Sequence, residues 1–129
     1  MNSNQAIAEE FVKQANALHR QGDYEQAIAT YREAIALMPD APTYVAYHFM
    51  IGDMLAEMQR YQEAALAFRE TVEVIPQYDE AWFNLGKCLM ALEQDEEAVQ
   101  AFDRCLEIML SRSDEGIVQP FYQLEIDDR

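Results

Sequence analysis

The sequence is poor in the residues on which catalytic and metal sites depend. Its 129 residues include two cysteines and two histidines, and Cys88 and Cys105 have no CxxC or other metal-ligand spacing. No phosphate-binding glycine loop, HExxH, GxSxG or calcium-loop pattern occurs. We therefore expect no catalytic residues, no cofactor and no metal. Both cysteines are expected to be small buried thiols, and His48 to be a packed side chain with a hydrogen-bond partner.

Positive charge is also scarce. Nine Lys and Arg stand against 24 Asp and Glu, so the formal net charge is −15. A surface of this sign repels nucleic-acid phosphates and anionic lipid. The composition therefore predicts no nucleic-acid partner and favours basic or polar protein segments. The alternative is that the charge only keeps the protein soluble.

Long apolar runs are missing. No stretch approaches the ~20 apolar residues that a membrane-spanning helix needs, and the first ten residues lack the basic and apolar regions of a signal peptide. Half of the residues are nevertheless apolar and 26% are charged, which is an ordinary globular composition. We expect a cytoplasmic protein without membrane insertion.

One motif recurs along the chain. Tyr24-x-x-Ala27-x-x-x-Tyr31 is matched by Tyr61-x-x-Ala64-x-x-x-Phe68 and by Ala98-x-x-x-Phe102. Such recurrence indicates an array of short units, each of which buries its apolar face on its neighbour. Arrays of this kind usually bind partners and carry out no reaction.

The spacing of the apolar residues predicts six helices, because these residues recur at steps of three and four. Gly22 is expected to adopt a left-handed turn conformation and Asp23 to cap the following helix. Pro39 and Pro76 end two helices, whereas Leu110 stands where a third proline would fall, so the last helix should run on towards Ser113. The predicted helices cover about 5–20, 24–37, 43–58, 61–74, 79–92 and 95–110.

Small residues occupy matching places in each unit. Two sets recur, and they predict close helix approach with a large aromatic ring beside each small residue. The first helices carry Ala15, Gly52 and Gly86, the second helices carry Ala27, Ala64 and Ala98, and the rings are Tyr31, Phe68 and Phe102.

The chain resembles tetratricopeptide repeat (TPR) proteins. Ala81-Trp82-Phe83-Asn84-Leu85-Gly86 is similar to the first-helix signature of that family, and Gly22-Asp23-Tyr24-x-x-Ala27 to its turn and second helix. The resemblance implies an all-α fold, an α-solenoid of three helical hairpins in a right-handed superhelix. The repeats would cover about 8–41, 45–78 and 79–110 within a domain at 1–110. The spacing between the first and second repeats is three residues longer than the spacing between the second and third. We assign the three extra residues to the loop around residues 40–42.

The resemblance also implies a concave groove lined by the first helices. Val12, Phe49 and Phe83 share one position there and would form an apolar strip, unless they only pack against neighbouring helices. Met50, Met54 and Met58 are likewise either one packed stripe or an adaptable binding surface. The predicted groove residues are Glu9, Val12, Asn16, His19, Arg20, Phe49, Met50, Asp53, Glu57, Glu80, Phe83, Asn84, Lys87 and Met90.

One function of the family is disfavoured by these residues. The carboxylate clamp for the acidic C-termini of Hsp70 and Hsp90 needs basic and Asn side chains at matched positions. Asn16 satisfies one of them. Val12 stands at a lysine position, Met50 at an Asn position, and Glu80 and Asn84 at a basic pair. An acidic peptide would therefore meet an acidic groove.

The remaining residues, 111–129, belong to no repeat. Their apolar run Ile117 to Ile126 is interrupted by Pro120, so one long capping helix is not expected. We predict that this tail folds back over the third hairpin near Phe102 and Leu106. The alternative is that it occupies the groove of its own or a second chain.

These observations predict a non-catalytic protein–protein interaction module or adaptor, small, acidic and bacterial. It would bind a protein partner, through a peptide or unfolded segment, in the groove. One alternative is an acidic chaperone of the type III secretion translocator kind, which is built from three such repeats. Another is a structural subunit that self-assembles, for which a homo-oligomer is possible.

Overall fold

The computed structural model describes residues 3–114, which form helices joined by short turns without any strand. Residues 1–2 and 115–129, which include most of the predicted tail, lie outside the described residues. The helices are α1 Ser3–Arg20, α2 Tyr24–Leu37, α3 Pro42–Val45, α4 Tyr47–Glu57, α5 Tyr61–Val74, α6 Asp79–Ala91 and α7 Asp95–Asp114.

The helices pair as three hairpins. α1 packs on α2, α4 on α5, and α6 on α7, while α2 contacts α4 and α5 contacts α6. A continuous core runs through all three hairpins, from Ala15 and Tyr31 to Leu89 and Ala101. The predicted all-α solenoid of three hairpins is confirmed.

The two helical glycines mark the closest helix approaches. A Cβ built on Gly52 would lie 2.7 Å from the Phe68 ring, and one on Gly86 would lie 2.6 Å from the Phe102 ring. No side chain larger than hydrogen fits there without movement of the ring. The predicted match between small residues and rings is thus confirmed in the second and third hairpins.

The hairpin turns share one geometry. Gly22, Gln59 and Glu93 lie at the same position of the three turns and have φ values of 80°, 61° and 61°. In each turn the backbone N–H of the next residue donates a hydrogen bond to the carbonyl oxygen five residues back, as from Asp23 to Leu18 at 2.9 Å. The left-handed conformation predicted for Gly22 is confirmed. The predicted cap is wrong, because Asp23 makes no side-chain capping hydrogen bond to α2.

The helix predicted over about 43–58 is interrupted at Ala46. This residue keeps right-handed helical angles (φ −59°, ψ −21°), but its carbonyl accepts from the N–H of Phe49, three residues on. The tighter turn separates α3 from α4 and leaves Tyr44 buried against Ala8 and Ala34 of the first hairpin. α7, in contrast, continues to Asp114 as its missing proline predicts.

Several single residues take the predicted packed roles. Cys88 and Cys105 are unpaired and buried, and burial raises the pKa of each thiol. Met54 is fully buried, and Met50 and Met58 pack against the same core, so the methionine stripe is a packed one. The side chain of His48 is 19% exposed, and its Nδ1 lies 3.0 Å from Glu70 Oε2.

Candidate functional site

A cleft of about 610 Å³ lies between α4 and α6. His19 of α1 and two residues of α5, Tyr61 and Phe68, also contribute to its wall. Its lining residues are His19, Asp53, Ala56, Glu57, Tyr61, Phe68, Asn84, Lys87, Cys88 and Ala91. The size of the cleft is that of small-ligand and peptide side-chain sites.

Five of the predicted groove residues meet in this cleft, and all five project from the first helices of the hairpins. They are His19, Asp53, Glu57, Asn84 and Lys87. The other predicted residues do not line it. These are Glu9, Val12, Asn16, Arg20, Phe49, Met50, Glu80, Phe83 and Met90.

The three residues of the predicted apolar strip differ in their surroundings. Val12 and Phe49 are partly buried against the core, and the Phe49 ring stacks on Tyr78 at 4.7 Å between centroids. Phe83 remains 46% exposed, although its ring also contacts Phe102 at 5.5 Å. Of the strip, therefore, Phe83 offers the largest free apolar surface.

Asp53 is a cleft residue whose ionised form is disfavoured by its surroundings. Its Oδ1 accepts a hydrogen bond from Asn84 Nδ2 at 3.0 Å. Burial raises the pKa of the Asp53 carboxyl, and the nearby carboxylates of Glu57 and Glu80 raise it further. Lys87 and His19 oppose this shift only in part. A positive charge placed in the cleft would relieve the unfavourable ionisation of Asp53.

Lys87 and His19 each contact an aromatic ring. Lys87 Nζ lies 5.1 Å from the centroid of the Phe83 ring, a cation–π distance. The His19 ring meets Tyr24 edge-on at 5.5 Å. Glu57 hydrogen-bonds to the Tyr24 hydroxyl, which raises the pKa of that phenol.

No residue that forms an ion pair within residues 3–114 lines the cleft. The ion pairs use Arg60, Arg69, Arg104 and Arg112, together with the His48 contact to Glu70. No pair among these described residues includes Asp53, Glu57 or Glu80. These three groove carboxylates are thus among those that have no ion-pair partner in this range.

Sequence reasoning missed part of the cleft wall. Ala56 and Ala91 leave open space because their side chains are short, and Tyr61 enters from a second helix. The family's groove positions lie on first helices, which do not include Tyr61; the sequence signal for Tyr61 is its match to Tyr24 at the hairpin turn. Asn16 is engaged elsewhere, since it accepts a hydrogen bond from the Tyr31 hydroxyl.

A second cleft of about 470 Å³ lies between α5 and α7, with α6 as its third wall. An ion pair of 2.9 Å between Arg69 and Glu97 spans it. Trp82, which lines this cleft, donates from its indole nitrogen to the carbonyl of Pro76 at 2.8 Å. Arg69, Glu97 and Trp82 therefore already have polar partners.

Residues 3–114 contain neither a cluster of metal ligands nor a helix that could span a membrane. Nowhere in this range do three or more His, Cys, Asp or Glu side chains come together as metal ligands would. None of the helices described combines the length and the apolar character that crossing a bilayer requires.

Comparison with known proteins identifies the repeat. The tetratricopeptide repeat model matches residues 6–77, more than half of the chain, and a second model of the same repeat matches residues 49–108. The chain belongs to the tetratricopeptide repeat family. The resemblance expected from the helix signatures is therefore confirmed, and the hairpins are TPR units.

The curated TPR relatives match this chain over only a small part of their own length. It is 34% identical over 91 residues to the TPR repeat-containing thioredoxin TTL4 of Arabidopsis thaliana, a match covering 70% of this chain and 13% of that protein. Two other curated relatives are covered over 29% and 10% of their lengths. The chain thus spans less than a third of the curated relatives that it matches.

Solved TPR structures show the same fold. MamA superposes with a TM-score of 0.76 at 21% identity, covering 87% of this chain and 63% of that one. The first TPR of Spaghetti (RPAP3), bound to the HSP90 peptide SRMEEVD, superposes with a TM-score of 0.69 at 22% identity, covering 81% and 80%. The hairpin stack described above is therefore an established TPR architecture.

Proposed function

We propose that this chain is a non-catalytic interaction module that holds an extended peptide segment in the cleft between α4 and α6. The segment would carry a basic side chain. The observation that carries the proposal is the pair Asp53 and Glu57, which line the cleft without an ion-pair partner among residues 3–114. Membership of a family in which other members bind peptides supports it.

A Lys or Arg side chain suits the cleft for two reasons. Its charge would offset the repulsion that raises the pKa of Asp53, and a partly exposed ion pair contributes up to about 1 kcal/mol. An apolar neighbour in the same peptide can pack on Phe83, which is 46% exposed. Anchors of this kind dominate peptide recognition, while the charge sets selectivity.

Acidic peptides are disfavoured by the same residues. The peptide SRMEEVD bound by the Spaghetti domain carries three acidic side chains. Here Glu80 and Asn84 stand at the basic pair of the family's carboxylate clamp, and Asn84 is hydrogen-bonded to Asp53. Like charges across an interface cost affinity, so chaperone-tail capture is not proposed for this chain.

Selection of short random peptides displayed on phage tests the proposal. Peptides selected on the wild-type chain should be rich in Lys and Arg and poor in Asp and Glu. Their affinity, measured by fluorescence anisotropy, should fall roughly fivefold or more in the Asp53→Asn/Glu57→Gln variant. The matched control is Glu33→Gln/Asp103→Asn, which changes the net charge equally on exposed residues outside the cleft.

The outcomes separate the parts of the proposal. Equal affinity for the cleft variant and the control would place binding elsewhere on the molecule. Selected peptides rich in acidic residues that still lose affinity in the cleft variant would leave the cleft as the site and contradict the preference for basic side chains. A cytoplasmic location, a bacterial origin and the lack of nucleic-acid or membrane partners stay predictions of the sequence.

A further inference from the structure

Helix α7 exposes an apolar stripe on the side of the third hairpin that faces away from the first two. Its residues recur at steps of three, four and seven, so they share one face of the helix. The exposed members are Val99 (56% exposed), Leu106 (53%), Met109 (48%) and Leu110 (41%).

Two of the four matching residues of the second hairpin are buried; of the other two, Ile75 is partly buried and Pro76 is exposed. Ala65 corresponds to Val99 and is 1% exposed, and Val72 corresponds to Leu106 and is 7% exposed. α5, which carries both residues, packs against α6. The α7 stripe therefore has the side chains of a packed helix face without a packing partner among residues 3–114.

We propose that residues 115–129 of the same chain cover this stripe. The segment begins directly after Asp114, the last residue of α7. Its sequence supplies apolar side chains suited to such a face: Ile117, Val118, Phe121, Tyr122, Leu124 and Ile126. The stripe would then be an intramolecular docking surface, and the predicted tail would begin after Asp114.

Chain length permits this docking. Val99 lies 15 residues before Asp114 along α7, a helical distance of roughly 22 Å. The 15 residues after Asp114 span up to about 50 Å when extended. The segment can therefore turn and still reach Val99.

Charge favours the chain's own segment over a second copy. Two copies with a formal net charge of −15 each repel one another. The segment is tethered beside the stripe, so its effective concentration there is of millimolar order without any association step.

A double-mutant cycle in the full-length chain tests the proposal. The segment variant is Phe121→Ser/Leu124→Ser, and the stripe variant is Leu106→Ser/Met109→Ser. Two control variants change equally exposed apolar pairs: Leu66→Ser/Val74→Ser on α5 and Phe83→Ser/Met90→Ser near the cleft. All three helix pairs lie at exposed positions, so the variants retain the core.

The segment variant should raise the unfolding equilibrium constant roughly tenfold in the wild-type chain and in both controls, but less than about twofold in the stripe variant. These constants should not depend on protein concentration. An equal effect in all backgrounds, or no effect in any, would overturn the proposal. Loss of the effect in the Phe83→Ser/Met90→Ser background would place the segment on the exposed apolar residues of α6, and a dimeric mass with concentration-dependent unfolding would assign the stripe to a second copy.

Discussion

The ring of Phe102 occupies the space that a Cβ on Gly86 would need, and Phe68 stands in the same relation to Gly52. The two glycines differ in how freely the ring can move. Phe68 is fully buried, whereas Phe102 is partly exposed. We therefore expect Gly52→Ala to cost about 2 kcal/mol in the free energy of unfolding and Gly86→Ala about 1 kcal/mol.

Urea denaturation of the two variants measures this difference. Adding Phe68→Leu to Gly52→Ala should restore part of the lost stability, because the smaller side chain makes room for the new methyl group. An increase in stability for Gly52→Ala alone, as helix propensity alone would give, would contradict the close packing.

Glycine at the other two hairpin turns should stabilise the fold. Gln59 and Glu93 both have φ of 61°, a conformation that costs a side chain with a Cβ about 1 kcal/mol. Gln59→Gly and Glu93→Gly should each raise the free energy of unfolding by roughly 0.5 kcal/mol, after the entropy cost of glycine. The matched control is Gly22→Gln, at φ 80°, which should lower it; three changes of the same sign would refute the shared turn geometry.

Asp53→Asn should stabilise the folded chain while weakening its binding of basic peptides. The amide keeps an oxygen acceptor for Asn84 and removes a charge that burial and two carboxylates disfavour. Removing such a charge typically stabilises by about 0.5 kcal/mol. The pKa of Asp53 is raised in the folded state. Ionised Asp53 therefore lowers the free energy of unfolding as pH rises above about 4.

The pH dependence of this substitution provides the check. The stability gain of Asp53→Asn over the wild type should be small near pH 4 and larger at about pH 7, measured by denaturant titration. A gain that shrinks as pH rises would show that Asp53 is stabilised as a carboxylate, in conflict with the electrostatics of the cleft.

His48 should titrate below its usual range. Burial lowers the pKa of its imidazole by more than the carboxylate of Glu70 raises it. The unfolded chain then binds more protons than the folded one below about pH 6.5, so the stability contributed by neutral His48 is lost as pH falls from there. His48→Phe should remove this dependence; Phe is the residue found 37 positions earlier, at Phe11, which is the same place in the first repeat.

NMR titration of the His48 ring proton measures the pKa directly. We expect a midpoint below about 6.5. A midpoint above that value would mean that the contact with Glu70 is an ion pair with a charged imidazole, and His48→Phe would then reduce stability most at low pH.

The fold was predictable from the sequence because packing imposes a strict register. Gly52 and Gly86 pair with Phe68 and Phe102, and such matched small and large residues identify the helix pairs without coordinates. The break at Ala46 was not predictable in this way. It coincides with the hydrogen bond from the N–H of Phe49 to the carbonyl of Ala46 and with the stacking of Tyr47 on Tyr31 at 5.2 Å, neither of which alters the apolar periodicity.

The candidate site was predictable only in part. Spacing places Val12, Phe49 and Phe83 at one position, but it does not reveal that Tyr78 covers Phe49 while Phe83 stays exposed. The contact of Lys87 with Phe83 follows from their four-residue spacing. The entry of Tyr61 into the cleft depends on how the helices cross, which no single repeat encodes.

Backbone amide NMR tests the central claim most directly, with a Lys-rich peptide from the phage selection titrated into the isotope-labelled full-length chain. We predict that the largest chemical-shift changes occur at Asp53, Asn84 and Lys87, with smaller ones along α2 and α5. Changes confined to the outward face of α5 or to the stripe on α7, with unperturbed amides around Asp53, would contradict binding in the cleft between α4 and α6.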